Sequence, residues 1–286
     1  MSEESKKPFF LKRIKISVKM ILIISLIILI SFSGMISLVT YFFSGDYKIR
    51  IQENNLSVAR ILSQKVHADY IAIVEKMNLM GMTMKQKFKT KTQKSLFINL
   101  FFKNDKNFLY LAIINKNGTV LKIKDSIKNS IYFRDNKLDV SDMDRIITVN
   151  KKHFYRTFNN DALVINASRQ FKTPVMAVAI PFEKNDQKKI QSILIGFIKL
   201  DRFLLAFKKG AGITINYLVS HTGDILAHPN SDIVLNHGNF GSEKVVIHMF
   251  KSPVGNGFIR YKDSNNIWCL GSFQKIDFLG LVWFQQ

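Results

Sequence analysis

The sequence is poor in the residues that build disulfides, multi-cysteine metal sites and flexible linkers. A single cysteine, Cys269, excludes an internal disulfide and any metal site made of several cysteines. Five prolines and 14 glycines are too few for a long flexible linker. Hydrophobic residues make up 47% of the 286 positions, so the chain can bury a large core, and its length predicts about two modules.

Sequence motifs of several enzyme classes are missing as well. There is no phosphate-binding loop, no G-x-S-x-G elbow and no H-E-x-x-H pair. The segment Gly210-Ala-Gly212 is too short to cradle a phosphate, and we interpret it as a turn. His221, His228 and His237 lack the close paired spacing that a metal site needs. We therefore predict no catalytic residue, no metal site and no cofactor.

Acidic residues are scarce relative to basic ones, with 21 Asp and Glu against 42 Lys and Arg, a net charge of +21. Such an excess favours nucleic acid as a partner only if the chain remains on the same side of the membrane as nucleic acid. The location of the chain therefore has to be settled before its charge is interpreted.

Residues 20–43 contain no charged side chain. As a helix they span about 36 Å, enough for a hydrocarbon core of about 30 Å. The run is longer than the apolar region of a cleaved signal peptide and does not end in a small-x-small site, which favours an uncleaved transmembrane helix. Six Lys or Arg precede it, but only Lys48, Arg50 and Arg60 follow within about 20 residues. This bias predicts a cytoplasmic tail at residues 1–19 and an extracytoplasmic location for the rest.

An extracytoplasmic domain meets no nucleic acid, so the remaining positive charge needs another interpretation. We assign most of it to a lysine-rich solvated surface. Attraction of anionic ligands or of anionic envelope surfaces is the sharper alternative.

Residues 46–84 are predicted to form one long stalk helix. Its apolar or small positions recur every three or four residues, which gives a single stripe: Ala59, Leu62, Val66, Tyr70, Ile73, Met77, Met80 and Met84. We expect the stripe to pack on the chain's own sheet, although it also permits a homodimer through the stalk helix. The lysines that follow, at positions 85, 87, 89, 91 and 94, predict a solvated loop, so that stalk helix and basic loop together occupy residues 46–102.

The periodicity then changes to that of β-strands. The segment 107–114, the turn at 115–118 and the segment 119–124 predict a β-hairpin. Three further strands, at 162–169, 174–182 and 190–200, complete a five-stranded antiparallel module over residues 103–209, with a helical or irregular insertion between Asp125 and Asp161. A short helix is expected at 202–207.

A weak internal repeat predicts a second module of the same plan over residues 210–286. Residues 112–121 align with 217–226 at an offset of 105, and in both segments a turn glycine, Gly118 or Gly223, precedes an outgoing strand. Strands at 257–261, 267–273 and 279–284 are predicted to complete the second sheet.

This order of elements resembles the double Cache (dCache) sensor domains of bacterial receptors. Residues 195–201 (IGFIKLD) are similar to the last strand of the family's distal module, and residues 217–229 (YLVSHTGDILAHP) to the opening hairpin of its proximal module. Residues 279–283 (LGLVW) resemble the strand that leads to a second membrane helix, before which this chain ends. The resemblance implies an α+β fold with two tandem PAS-like modules. It also implies small-molecule sensing by the distal module for a kinase, cyclase or chemotaxis output.

The family's amino-acid signature, an Arg followed by Trp-Tyr and later by Tyr and Asp, is not present, so the resemblance does not imply an amino-acid ligand. An Arg can hold a carboxylate through two hydrogen bonds, and aromatic rings can wall a pocket. We therefore predict a small organic ligand, with an anionic one favoured, held by residues of the insertion and the facing strands: Tyr132, Arg134, Tyr155, Arg156, Asn166 and Arg169.

The leading hypothesis is an extracytoplasmic small-molecule sensing domain of a signal-transduction receptor in the plasma (inner) membrane, without enzymatic activity of its own. The alternative is a signal-anchored envelope protein that adheres or scaffolds through its basic surface. A membrane-tethered hydrolase is disfavoured by the missing motifs.

Overall fold

The computed structural model describes residues 15–86, 90–117, 120–159, 161–208, 215–262, 266–276 and 281–285. The chain divides into two compact units between Glu53 and Asn54. In the first unit the predicted membrane segment 20–43 is helical throughout, and its most apolar window has a mean hydropathy of 2.7 with no buried residue. It is long and apolar enough to cross a membrane. Most of the predicted cytoplasmic tail lies outside the described residues.

The long helix α1 extends over Ile16–Lys85, and its last part belongs to the second unit. The predicted stripe is confirmed, because Ala59 and Met77 are fully buried and the other six members are buried or half-buried. Two glycines allow a close approach between helix and sheet. A Cβ on Gly81 would lie 2.8 Å from the Phe182 ring, and one on Gly196 would lie 3.0 Å from Met77 Sδ. The stripe thus packs on the chain's own sheet, as expected.

The predicted basic loop after the stalk is wrong, because a second helix, α2, begins at Lys91 and ends at Asn104. The Thr90 side chain caps it by accepting a hydrogen bond from the Gln93 N–H. Phe102 is buried and Ile98 and Phe101 pack against the core, so one face of α2 is apolar. The lysines on its other turns obscured this pattern in the sequence. Lys87 and Lys89 lie outside the described residues.

The first sheet is antiparallel in the order β2-β1-β5-β4-β3. Its strands are β1 (Phe108–Asn117), β2 (Val120–Lys128), β3 (Leu163–Asn166), β4 (Val175–Lys184) and β5 (Ile190–Lys199). Asn117 pairs with Val120, which confirms the predicted β1–β2 hairpin, although Gly118 lies outside the described residues. All five predicted strands are therefore present.

The insertion between β2 and β3 is helical. It consists of α3 (Ser130–Asp135), α4 (Val140–Val149) and α5 (Lys151–Thr157). The strand predicted at 162–169 is too long, because it ends at Asn166 and a short helix, α6 (Ser168–Phe171), follows. The Asn166 Oδ1 atom accepts a hydrogen bond from the Ser168 N–H at 2.8 Å, and this local turn competes with strand extension.

The second sheet follows α7 (Asp201–Lys208). It has the order β7-β6-β10-β9-β8, which is the same as that of the first sheet once strands are numbered within each sheet. Its elements are β6 (Asn216–Val219), β7 (Ile225–Ala227), α8 (Ser231–Leu235), α9 (Lys244–Lys251), β8 (Asn256–Lys262), β9 (Trp268–Ile276) and β10 (Leu281–Gln285). The predicted α+β fold with two antiparallel sheets is confirmed. The predicted module boundary at 209/210 and Gly210-Ala-Gly212 lie outside the described residues.

Candidate functional site

The two faces of the first sheet carry different cores. On one face, Leu111, Ile113 and Leu194 join the apolar stripe of α1. On the other face, α3 to α6 cover a separate cluster of buried residues. Because alternate residues of a strand point to opposite faces, each strand supplies both cores. The face covered by α3 to α6 contains the aromatic residues and cations described next.

Five aromatic residues on that face form what we term the aromatic cluster: Tyr110, Tyr132, Phe133, Phe171 and Phe197. Their neighbouring ring centroids lie 5.4 to 6.4 Å apart. Two lysines lie over its outer rings, with Nζ of Lys199 4.7 Å from the Tyr132 centroid and Nζ of Lys128 5.4 Å from the Phe133 centroid. The cluster is thus apolar inside and cationic at its rim.

Beside the cluster, an open groove of about 340 Å³ lies between α2 and the end of β2. We term it the β2 groove, and it is lined by Lys94, Ser95, Ile98, Asn99, Ser126, Ile127, Lys128 and Ser130. Its polar lining consists of two ammonium groups, three hydroxyls and one amide, which are hydrogen-bond donors suited to an anion. Lys94 Nζ lies 3.0 Å from Asp125 Oδ2, so one of the two cations already has a carboxylate partner. Lys128 belongs both to the groove and to the rim of the aromatic cluster.

Two buried hydroxyl groups lie on the same face. Burial raises the pKa of the Tyr110 phenol, while the Ser126 hydroxyl lowers it and Asp144 raises it. The phenol therefore stays protonated, next to a serine that lines the β2 groove. The Thr157 side chain is fully buried, and its Oγ1 has no hydrogen-bond partner among the described residues. Such a group is uncommon in a protein core.

The structure brings only part of the predicted site to this face. Tyr132 belongs to the aromatic cluster, and its hydroxyl donates to the Phe171 carbonyl oxygen at 3.1 Å. Tyr155 lies further along the face, where Lys116 Nζ is 5.1 Å from its ring centroid. Arg134 is exposed, and its Nε lies 3.2 Å from Asp135 Oδ1.

The other three predicted residues lie at the contact between the two sheets' modules. Asn166 is buried, and its Nδ2 donates to the carbonyl oxygens of Ile225 at 2.7 Å and Val234 at 2.9 Å. Arg156 Nη1 lies 2.7 Å from His221 Nε2, and the Arg169 backbone N–H donates to His237 Nε2 at 3.4 Å. These three residues thus connect the two modules, and a ligand site made of the six residues stays a prediction.

Sequence reasoning missed the groove residues for identifiable reasons. Lys94 was assigned to a loop, and Ser95, Asn99 and Ser130 carry no distinctive spacing. The sequence offered one indication of the groove. The strand β2 ends in polar residues, with Ser126 followed by Lys128, where a continued apolar alternation would indicate a buried strand end. Among the described residues, no group of three or more His, Cys, Asp or Glu is placed to hold a metal ion.

A scan of protein-family models gives no match, and neither does a search of curated protein sequences. Solved structures do match. The periplasmic sensory domain of the Campylobacter jejuni chemoreceptor Tlp1 is 11% identical with a TM-score of 0.52, and the comparison covers 83% of this chain and 94% of that one. The sensory domain of the Campylobacter jejuni chemoreceptor Tlp3 is 15% identical, with a TM-score of 0.50 over 85% and 95% of the two chains.

A third match is the extracellular domain of a protein named as the histidine kinase rpHK1S-Z16, with 12% identity, a TM-score of 0.53 and coverage of 82% and 92%. At these identities the likeness concerns the fold. The fold of this chain is that of extracytoplasmic sensory domains of bacterial receptors, which confirms the fold expected from the dCache resemblance.

Proposed function

We propose that this chain is the extracytoplasmic small-molecule sensing domain of a membrane-bound signal-transduction receptor. The helix at 20–43 anchors it in the plasma membrane, residues 1–19 remain in the cytoplasm and both sheets lie outside. The observation that carries the proposal is the β2 groove, a cation-lined depression beside the aromatic cluster on the first sheet. The fold shared with periplasmic sensory domains supports it.

The chemistry of the groove favours a small organic anion with an apolar part. The Lys128 ammonium lies over the Phe133 ring, and Lys94, which Asp125 already partners, supplies a second donor. A carboxylate would accept hydrogen bonds from these ammonium groups and from the three serine hydroxyls. Its apolar end would lie against Ile98 and Ile127, the apolar side chains that line the groove.

The groove is connected to the rest of the domain through α2 and α1. Occupation of the groove would bring α2 closer to β2. At the other end of the α1–α2 connection, Glu183 of β4 forms ion pairs with Lys85 of α1 and Lys124 of β2. We therefore propose that the module at 103–209 binds the ligand and that the module at 210–286 relays the change.

Self-association through the stalk is part of the proposal. The side of α1 opposite the buried stripe exposes Ile61, Leu79 and Met82, each by more than 60%. A second copy of the stalk would cover these side chains, and the homodimer would couple ligand binding in one chain to the position of both membrane helices. We propose that the catalytic or adaptor output belongs to another module of the receptor.

The experiment is a thermal-shift screen of the full chain in detergent against short mono- and dicarboxylates. At least one of them should raise the melting temperature, and the shift should disappear in Lys128→Ala. Lys122→Ala, which removes an exposed lysine from the same strand outside the groove, is the matched control and should keep the shift. Loss of the shift in Arg134→Ala with retention in Lys128→Ala would assign the ligand to the sequence-predicted arginine instead of the groove. The absence of a shift with every carboxylate would contradict the ligand class.

A further inference from the structure

The second sheet has one end that faces the first module and one that points away from it. The β6–β7 turn lies at the facing end, where His221 contacts Arg156 and the Ile225 carbonyl accepts a hydrogen bond from Asn166. Val219, next to that turn, pairs with Val282, whereas Asn216 at the start of β6 pairs with Gln285. The Asn216 end of the sheet is therefore the end remote from the first module.

The β8–β9 hairpin projects from this remote end. Ser272 of β9 pairs with Gln285, the last described residue of β10, while Trp268 pairs with Lys262 four residues further out. At about 3.3 Å per residue, Trp268 lies about 13 Å beyond the described end of β10. Side chains near the hairpin tip thus lie at the end of the second sheet remote from the first module.

The projecting part carries large apolar side chains and cations together. We term the following residues the Trp268 patch: Phe258, Arg260, Lys262, Ile267 and Trp268. Trp268 and Ile267 are 58% and 60% exposed, and Phe258 is 46% exposed. The Arg260 guanidinium carbon lies 4.6 Å from the Trp268 ring and Lys262 Nζ lies 5.3 Å from it, while Lys244 Nζ donates to the Lys262 carbonyl oxygen.

The strand β8 lies at the edge of the sheet, and protection of that edge explains Arg260 and Lys262 but not the exposed apolar side chains. Basic residues on β8 prevent edge-to-edge pairing, yet an exposed Trp, Ile and Phe promote association. A Trp flanked by Arg and Lys is typical of surfaces that lie at the boundary between water and lipid headgroups. The ring has an amphipathic character suited to that boundary, and the cations are attracted to anionic headgroups.

The part of α1 from Asn54 onward, which follows the apolar segment in the sequence, belongs to the second unit, and its stripe is buried in the core of that unit. Met77 of α1 contacts Gly196 of the first sheet, whereas Ala59 lies about 27 Å earlier along the helix and is still fully buried. The core cluster that contains Ala59 also contains Tyr217 and Leu218 of the second sheet. Only residues 44–53 then separate Phe43, the last residue of the apolar segment, from Asn54.

We propose that the Trp268 patch docks on the anionic lipid headgroups of the membrane in which the chain is anchored. This inference rests on the proposed membrane anchoring. Docking holds the second sheet against the bilayer through the Trp268 and Ile267 side chains, with Arg260, Lys262 and Lys244 on lipid phosphates. It fixes the orientation of the module that relays the signal.

The test uses the two tryptophans of the chain. Trp283→Phe leaves Trp268 as the only tryptophan, and this full-length variant is reconstituted into nanodiscs of phosphatidylglycerol and phosphatidylcholine. A lipid that carries a nitroxide on its headgroup should quench Trp268 fluorescence, and a lipid labelled deep in its acyl chain should quench it less. Arg260→Glu together with Lys262→Glu should weaken the docking equilibrium by about five-fold for each cation removed. Lys116→Glu together with Lys152→Glu, on the first module, is the matched control and should leave the quenching unchanged.

The outcomes separate the two proposals. Failure of the chain to enter nanodiscs would contradict the membrane anchoring itself. A chain that enters nanodiscs but whose Trp268 is not quenched by the headgroup nitroxide overturns the docking proposal alone. Protection of Trp268 from an aqueous quencher without nitroxide quenching would overturn it as well, since a second copy or an acidic protein would then cover the patch.

Discussion

The two sheets have the same strand order but differ in what covers them. The first has strands of up to ten residues, three inserted helices and an aromatic cluster with lysines at its rim. The second has strands of three to nine residues, and its helices α8 and α9 bury small aliphatic side chains such as Val234, Val245 and Val246. One plan thus supports a ligand-sized groove beside one sheet and helices that bury small aliphatic side chains on the other.

The difference indicates a division of labour between sensing and mechanical connection. Cations and aromatic rings of the first sheet converge near an open groove. Polar groups of the second sheet are used in its turns and in contacts with the first module, as at His221 and His237. Substitutions in the two modules should therefore have different consequences, the largest of them in the second sheet.

Gly223→Ala should damage the second sheet more than any other small substitution. Gly223 has φ +86°, and a Cβ there would lie 2.5 Å from the Gly241 Cα, so backbone strain and a clash combine. We expect a loss of about 2–4 kcal/mol, measured by denaturant unfolding. Gly255→Ala is the control, because nothing lies within 4 Å of its Cβ position. A Gly223→Ala variant as stable as the control would contradict the turn geometry.

Asn166→Ala should separate the unfolding of the two modules. The substitution leaves the buried carbonyls of Ile225 and Val234 without their side-chain donor, which costs about 2 kcal/mol. Calorimetry should then resolve two transitions that are closer together in the unmodified protein. Asn159→Ala, at an exposed position after α5, should leave the trace unchanged. A single unshifted transition in Asn166→Ala would place the connection between modules elsewhere.

Glu183→Gln should destabilise the contact of α1 with the first sheet, and the effect should depend on pH. Hydrogen bonds from Lys85 and Ser192 lower the pKa of Glu183 below its ordinary 4.5. The carboxylate therefore contributes stability above pH 4.5, and this contribution is lost as the pH falls through the lowered pKa. Because the ion pairs are partly exposed, we expect a loss of about 1 kcal/mol at pH 7 and a smaller difference from the unmodified protein as the pH falls below 4.5. Equal destabilisation at both pH values would show that the charge is not the cause.

His221→Gln should have the smallest effect. It should weaken the pH dependence of the stability of the contact between the two modules. Burial and the neighbouring Arg156 and His153 lower the pKa of His221 below 6.5, whereas Asp224 opposes this shift. The neutral imidazole is favoured in the folded state, so stability is lost as the pH falls below 6.5 toward the lowered pKa. Protease susceptibility of the module connection should rise at pH 5 in the unmodified protein and less in His221→Gln. His248→Gln on α9 is the control and should follow the unmodified profile.

The fold could be predicted from local sequence patterns, whereas the β2 groove depends on contacts between segments that are distant in sequence. Local sequence patterns predicted three features: the strands of the first sheet, the apolar stripe of α1 and the hairpin that begins each sheet. The structure contains all three. The helix α2 was missed because lysines interrupt its apolar face. The contacts of Arg156, Asn166 and Arg169 with the second module could not be predicted, because the residues that they contact are distant in sequence. The β2 groove combines residues 94–99 with 126–130, and no sequence pattern connects these segments.

Hydrogen–deuterium exchange of the full chain with and without the carboxylate that gives the largest thermal shift tests the central claim most directly. Ligand binding at the β2 groove predicts slower exchange in α2 and at the end of β2, with a smaller change in β6 to β9 of the second sheet. Protection confined to the second sheet, or to the contact around Asn166, would contradict the assignment of sensing to the first module.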